Sequence, residues 1–128
     1  MAESVPEELR YTAQHEWVRP DGDELVVGIT DHAQSTLGDI VYVDIPGPGT
    51  AVEGEQPFGE VESHKSVSDL FAPVTGEIVA RNDGLDERPE LVNEDPYGDG
   101  WLVRIRPTDA DAHARLLDAA GYRAVVEG

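Results

Sequence analysis

The chain has 128 residues, no cysteine, and a formal charge of −18 from 27 acidic residues against 9 Lys+Arg. That length suits one domain with a core large enough to need no covalent staples. Without cysteine, disulfides and thiolate metal sites are excluded. The charge argues against nucleic acid and anionic membranes as partners, because both are polyanions.

Read in chain order, Met1 to Glu8 has neither the basic run nor the apolar run of a secretory signal, and is too acidic for a transit peptide. No stretch is long and apolar enough to span a membrane. A cytoplasmic protein is therefore expected, with residues 1–10 loose and residues 11–128 forming one domain. Leu25, Val27 and Ile29 alternate with Val26, Gly28 and Thr30, a strand pattern. Asp31 to Leu37 reads as a short helix capped by Thr30 or Asp31 and stopped by Gly38. Residues 40–45 are β-rich and end at Pro46-Gly47-Pro48-Gly49. Residues 58–63 and 66–71 are two further β-like runs. Pro73-Val74-Thr75-Gly76 signals a turn, and residues 77–80 resume the strand pattern. Glu90 to Asn93 suits one helical turn after Pro89, and residues 101–106 read as the last strand. Thr108 then caps a C-terminal helix over residues 109–120, with Gly121 as its stop. Many short strands at regular spacing indicate a mostly β barrel or sandwich.

Lysine is ordinarily one of the commonest residues in a soluble protein. Here Lys65 is the only one, and the other eight basic residues are arginines. Arginine stays protonated, whereas a lysine amine can be deprotonated and acylated. A solitary lysine thus asks what is attached to it. Two β-like runs meet at Lys65 with Ser and Asp around it, so a tight turn puts the amine at an exposed tip. That place does not suit a Schiff base or general base, which needs desolvation. It suits an amine that another enzyme must reach. The bland reading of such a residue is a solvated surface lysine. The acidic, lysine-poor, arginine-retaining composition also reads as adaptation to a salty cytosol, where self-repulsion is screened.

The segment Glu62-Ser63-His64-Lys65-Ser66-Val67-Ser68-Asp69-Leu70-Phe71-Ala72-Pro73-Val74-Thr75-Gly76-Glu77 resembles the lipoyl attachment segment of the glycine cleavage system H protein family. Four further stretches carry the same resemblance in order. They are Tyr11-Thr12 with His15-Glu16-Trp17-Val18, then Gly28 to Gln34, then Leu37 to Val41, and finally Pro89 to Asn93 with Asp95-Pro96-Tyr97-Gly98 and Gly100-Trp101. The resemblance implies a lipoyl-domain-like barrel or sandwich of two antiparallel sheets with short helices and a C-terminal helix. It implies lipoate joined covalently to Lys65, and Glu62 and Gly76 as aids to recognition by the lipoate-attaching enzyme. It implies a swinging arm that carries the aminomethyl group of glycine between glycine decarboxylase, aminomethyltransferase and dihydrolipoyl dehydrogenase. The chain itself would be a carrier with no turnover. By position, Glu16 and Asp69 would hold the loaded arm in a cleft near the opening strand. In a chain with 27 acids, each reads equally as an ordinary turn or edge acid.

Two residues depart from the family pattern. His64 stands where a small apolar residue is usual, and puts a titratable ring beside the arm. Gln14 stands where some members have a serine in the docking cleft. A lipoyl-relay or other lipoyl-dependent carrier is the alternative within the same fold. A biotin carrier fits less well, because methionines normally flank its lysine. An unmodified acidic binding module is the reading from another class. His15, His32, His64 and His113 show no metal-ligand spacing, and Trp17 and Trp101 read as core residues.

Overall fold

In a computed structural model that describes residues 5–127, a six-stranded and a three-stranded antiparallel sheet pack around one apolar layer. Residues 1–4, part of the stretch expected to be loose, and Gly128 lie outside the described residues. The larger sheet has the order β1 (Arg10–Tyr11), β2 (Glu16–Asp21), β3 (Glu24–Ile29), β9 (Val103–Pro107), β8 (Gly76–Arg81), β5 (Ala51–Val52). The smaller has the order β4 (Ile40–Asp44), β6 (Pro57–Ser63), β7 (Val67–Phe71). Val18, Val27, Ile29, Ile78 and Ile105 from the first meet Ile40, Val43, Val61 and Leu70 from the second. The mostly β expectation therefore holds, with two antiparallel sheets as expected.

The alternation read in β3 has a second consequence. Leu25, Val27 and Ile29 face the layer between the sheets, but Val26 is also buried, in a second cluster with Leu9, Tyr11, Trp17, Ala119 and Tyr122. The outer face of the large sheet is covered by the two ends of the chain. Residues 5–10, expected to be loose, are part of that cover. Leu9 is buried, Arg10 begins β1, and the Pro6 carbonyl accepts from the Tyr11 hydroxyl at 2.6 Å.

The C-terminal helix lies later than residues 109–120. A 3-10 turn occupies Ala112–Arg115, and the helix α4 runs Ala119–Glu127. Between them Leu117 exchanges backbone hydrogen bonds with Tyr11, at 2.8 and 2.9 Å, and so prolongs the large sheet as an extended residue. Gly121 does not stop a helix; it sits in the first turn of α4, where its N–H donates to the Asp118 carboxylate at 2.8 Å. A sheet contact and an aspartate cap outweigh the helical propensity of residues 109–120.

Helix α1 (Asp31–Leu37) matches its expected bounds. The Thr30 hydroxyl accepts from the Ala33 N–H, and Gly38 ends the helix at φ 84°, a conformation glycine adopts without steric cost. The single turn expected at residues 90–93 is observed as α3 (Leu91–Glu94); α2 (Gly84–Glu87) precedes it and was not anticipated. From α3, Asn93 accepts from the Ile40 N–H and donates to the Gly38 carbonyl, both at 2.8 Å, and donates to Gln34 at 3.0 Å. One side chain thus fixes the end of α1 against the start of β4.

Candidate functional site

Lys65 occupies the turn of the β6–β7 hairpin, and its side chain is exposed. Ser63 builds that turn. Its N–H donates to the Ser66 carbonyl at 2.8 Å, and its hydroxyl accepts from the Lys65 and Ser66 N–H groups at 3.3 and 3.2 Å. A serine that satisfies the backbone of the next residues forms a tight, local turn. Ser63 is itself buried, so the tip is anchored although Lys65 is free to be approached. Sequence reasoning passed over Ser63; the signal for it was the Ser-x-x-Ser spacing around the lysine. The Lys65 stem passes near Gly38, where a side-chain carbon would lie 3.6 Å from Cε. It therefore passes the C-terminal end of α1.

A cavity of about 140 Å³ runs along α1, from His32 to Leu37. Ile29, Ala33, Leu37, Val61 and Leu70 give it apolar walls. Gln14, Glu16, Thr36, Ser68 and Asp69 give it polar ones, and His15 and His32 complete it. Glu16 and Asp69, assigned to one cleft by resemblance, therefore line one cavity. Asp69 is exposed on the edge strand β7, whereas Glu16 is buried at the start of β2.

Glu16 bridges the two sheets. Its Oε1 accepts from the Thr12 hydroxyl at 2.6 Å, and its Oε2 accepts from the Phe71 N–H on the edge of β7 at 3.2 Å. Burial pushes the carboxyl up to about 7, although the hydrogen bonds from Thr12 and Phe71 pull the other way. A carboxylate oxygen has two lone pairs, so each still has acceptor capacity. A cationic group entering the cavity would find a buried partner in Glu16 and an exposed one in Asp69.

Glu62 and Gly76 lie outside the cavity. Glu62 is exposed on β6, opposite Tyr42 on one side and Val67 on the other. Tyr42 and Val67 are both more than half exposed, so the row beside the tip is apolar, acidic, apolar. Gly76 belongs to the other sheet, where it pairs with Val52 and Pro107. A side-chain carbon there would collide with the Arg106 carbonyl and lie 2.9 Å from Ile105 and Pro107. The position is closed to bulkier residues on packing grounds alone.

The sequence and the fold both have relatives among known proteins. The model of the family described as glycine cleavage H-protein matches residues 9–128. The chain belongs to that family. It is 55% identical over 125 residues to the glycine cleavage system H protein of Bacteroides thetaiotaomicron, covering 98% of this chain and 99% of that one. It is 52% identical over 123 residues to the glycine cleavage system H protein of an Anaeromyxobacter species, strain K, covering 96% of each. Among solved structures, a glycine cleavage system H protein from Mycobacterium marinum superposes with a TM-score of 0.87 at 41% identity, covering 97% of this chain and 100% of that one.

The residues present fit a lipoyl group. The only primary side-chain amine of the chain stands exposed at a fixed tip. The same hairpin contributes Ser68 and Asp69 to a cavity whose apolar walls suit an acyl chain and whose two acids suit a cationic end. Among the described residues no group of His, Cys, Asp and Glu is arranged to hold a metal, and no helix is long and apolar enough to cross a membrane.

Proposed function

We propose that this chain is the lipoyl carrier of a glycine cleavage system, with lipoate in amide linkage to Lys65. When bound, the group supplies the sulfur pair on which the one-carbon cargo and the electrons travel, since the chain has no sulfur nucleophile of its own. The chain's own residues attach, present and shelter. Ser63 fixes the tip so that Lys65 reaches each partner in the same orientation. Tethering then raises the effective concentration of the cargo at a docked enzyme.

Glycine decarboxylase, aminomethyltransferase and dihydrolipoyl dehydrogenase are the partners of this reading, and a lipoate-attaching enzyme prepares the carrier. Glu62, in its row with Tyr42 and Val67, is the surface that enzyme meets beside the tip. Glu16 and Asp69 shelter the aminomethyl cargo between encounters, pairing with its amine. The chain acts as one domain, carries out no turnover alone, and works in a high-salt cytosol.

The observation that carries this reading is the only lysine at the tip of a hairpin whose Ser68 and Asp69 line an apolar-walled cavity together with Glu16. The test is reconstitution with the three enzymes. The lipoylated chain should support transfer of the glycine methylene to tetrahydrofolate, and Lys65→Arg should not. A lipoylated chain that supports no transfer would assign it to another lipoyl-dependent system.

A further inference from the structure

One residue outside the cavity touches segments on two sides of it. Tyr122 on α4 is fully buried, and its hydroxyl lies 2.7 Å from the His15 Nδ1 and 2.7 Å from the Thr30 Oγ1. The two partners belong to different walls. His15 sits between Gln14 and Glu16 in the turn that leads into β2. Thr30 caps α1, whose Ala33, Thr36 and Leu37 form the facing wall. The Thr30 N–H also donates to the His15 carbonyl at 3.0 Å. The Tyr122 ring is held in turn by stacking on Tyr11, with centroids 4.7 Å apart and planes within 14°.

The hydrogens close in either of two ways. The Tyr122 O–H donates to His15 while the Thr30 O–H donates to Tyr122, or the His15 N–H donates to Tyr122 while Tyr122 donates to Thr30. In both, the His15 Nδ1, the Tyr122 hydroxyl and the Thr30 hydroxyl each find a partner within the trio. His15 is also one of two non-glycine residues among those described with a positive φ, at 71°. Such a conformation is uncommon outside glycine and persists where the surroundings impose it. The link to Tyr122 is one such constraint, and the next residue in the chain is Glu16.

We propose that Tyr122 is a positioning residue for arm docking: its hydroxyl, shared by His15 and Thr30, clamps the two walls together and so holds Glu16 in place for the cargo. The C-terminal helix thereby acts on a cavity that it does not line. This rests on the carrier reading for its functional half, while the clamp itself is a property of the unmodified chain.

The test uses the full chain carrying Tyr122→Phe, which keeps the ring and its stacking and removes only the hydroxyl. Hydrogen exchange of the unmodified protein is read at two amides. The Phe71 N–H is bonded to Glu16, and the Ile78 N–H, on β8 three strands from β2 in the large sheet, is bonded to the Thr50 carbonyl. Exchange at Phe71 should rise at least tenfold with Ile78 unchanged, and in the lipoylated protein the cargo should be lost at least threefold faster. Adding Tyr122→Phe to Glu16→Gln should then cause no further loss. Equal acceleration at Phe71 and Ile78 would mean a general loss of stability and would overturn the clamp. So would an unchanged cargo lifetime in Tyr122→Phe when Glu16→Gln shortens it. A wild-type protein that never takes up cargo would count against the carrier reading, and the amide comparison would still decide the clamp. Should Tyr122→Phe not fold, His15→Gly carries the same comparison, since Gly adopts the positive φ and has no side chain to bond Tyr122.

Discussion

The Glu16 carboxylate accepts a hydrogen bond from the Phe71 N–H at 3.2 Å, and this bond joins the first long strand of one sheet to the edge strand of the other. The residue that the carrier reading assigns to the cargo is thus already a structural bridge. Its buried carboxyl titrates at about 7, above the ordinary 4.5. Between those values the folded chain holds a proton that the unfolded chain releases. Stability conferred by the protonated form is therefore present below about 4.5 and lost as pH rises through 7. The slope approaches about 1.4 kcal/mol per pH unit. Denaturant unfolding from pH 4.5 to 8 should show this decline in the wild type and a shallower one in Glu16→Gln. Parallel curves would remove Glu16 as its source.

Glu16→Gln with Asp69→Asn should leave lipoylation of Lys65 intact and shorten the lifetime of the aminomethyl cargo. In the wild type, capture should weaken as pH falls below about 7, because the amine must then displace the proton from Glu16. The drop approaches tenfold per pH unit. An unchanged lifetime in the double variant removes both acids from the mechanism.

Much of this was legible before the fold was known, for local reasons. Thr30 and Gly38 are strong helix punctuation, and they bound α1 as read. The β runs carry branched residues and end at Gly and Pro. What was hidden depends on contacts distant in sequence. Residues 109–120 contain a cap signal and a leucine pair that suit a helix. Yet Leu117 is held extended by Tyr11, more than a hundred residues away, and the helix starts only at Ala119. Resemblance placed Glu16 in the arm cleft, but the bridge it makes to Phe71 was not legible. No short-range pattern marks Tyr122 as a partner of His15.

Gly76→Ala should destabilise the chain by about 1–3 kcal/mol, the usual cost of overpacking a closed position. The new carbon would press on Arg106, Ile105 and Pro107. Lipoylation measured at a temperature where the variant is fully folded separates this from a role in enzyme recognition. A normal rate under those conditions makes Gly76 a packing residue only.

Stability should rise with salt, and most steeply in dilute buffer, where the Debye length shortens fastest. The three-stranded sheet shows where the effect concentrates. Asp44, Glu60 and Asp69 lie directly opposite one another across β4, β6 and β7, all exposed, and those strands contain no basic residue. Like charges in that register destabilise by about 0.2–1 kcal/mol per pair. Glu60→Gln removes both contacts at once. It should raise the melting temperature at low salt and flatten its rise toward multimolar potassium chloride. A flat curve for the wild type would refute adaptation to a salty cytosol.

The central claim is tested most directly by peptide mapping of the mature protein by mass spectrometry, isolated from cells that make lipoate and its attaching enzyme. Lipoate should be found on the peptide containing Lys65 and on no other, and Lys65→Arg should fold normally and carry none. Lipoate on a different residue, or none on wild-type protein from cells whose other lipoyl proteins are modified, would contradict the carrier assignment.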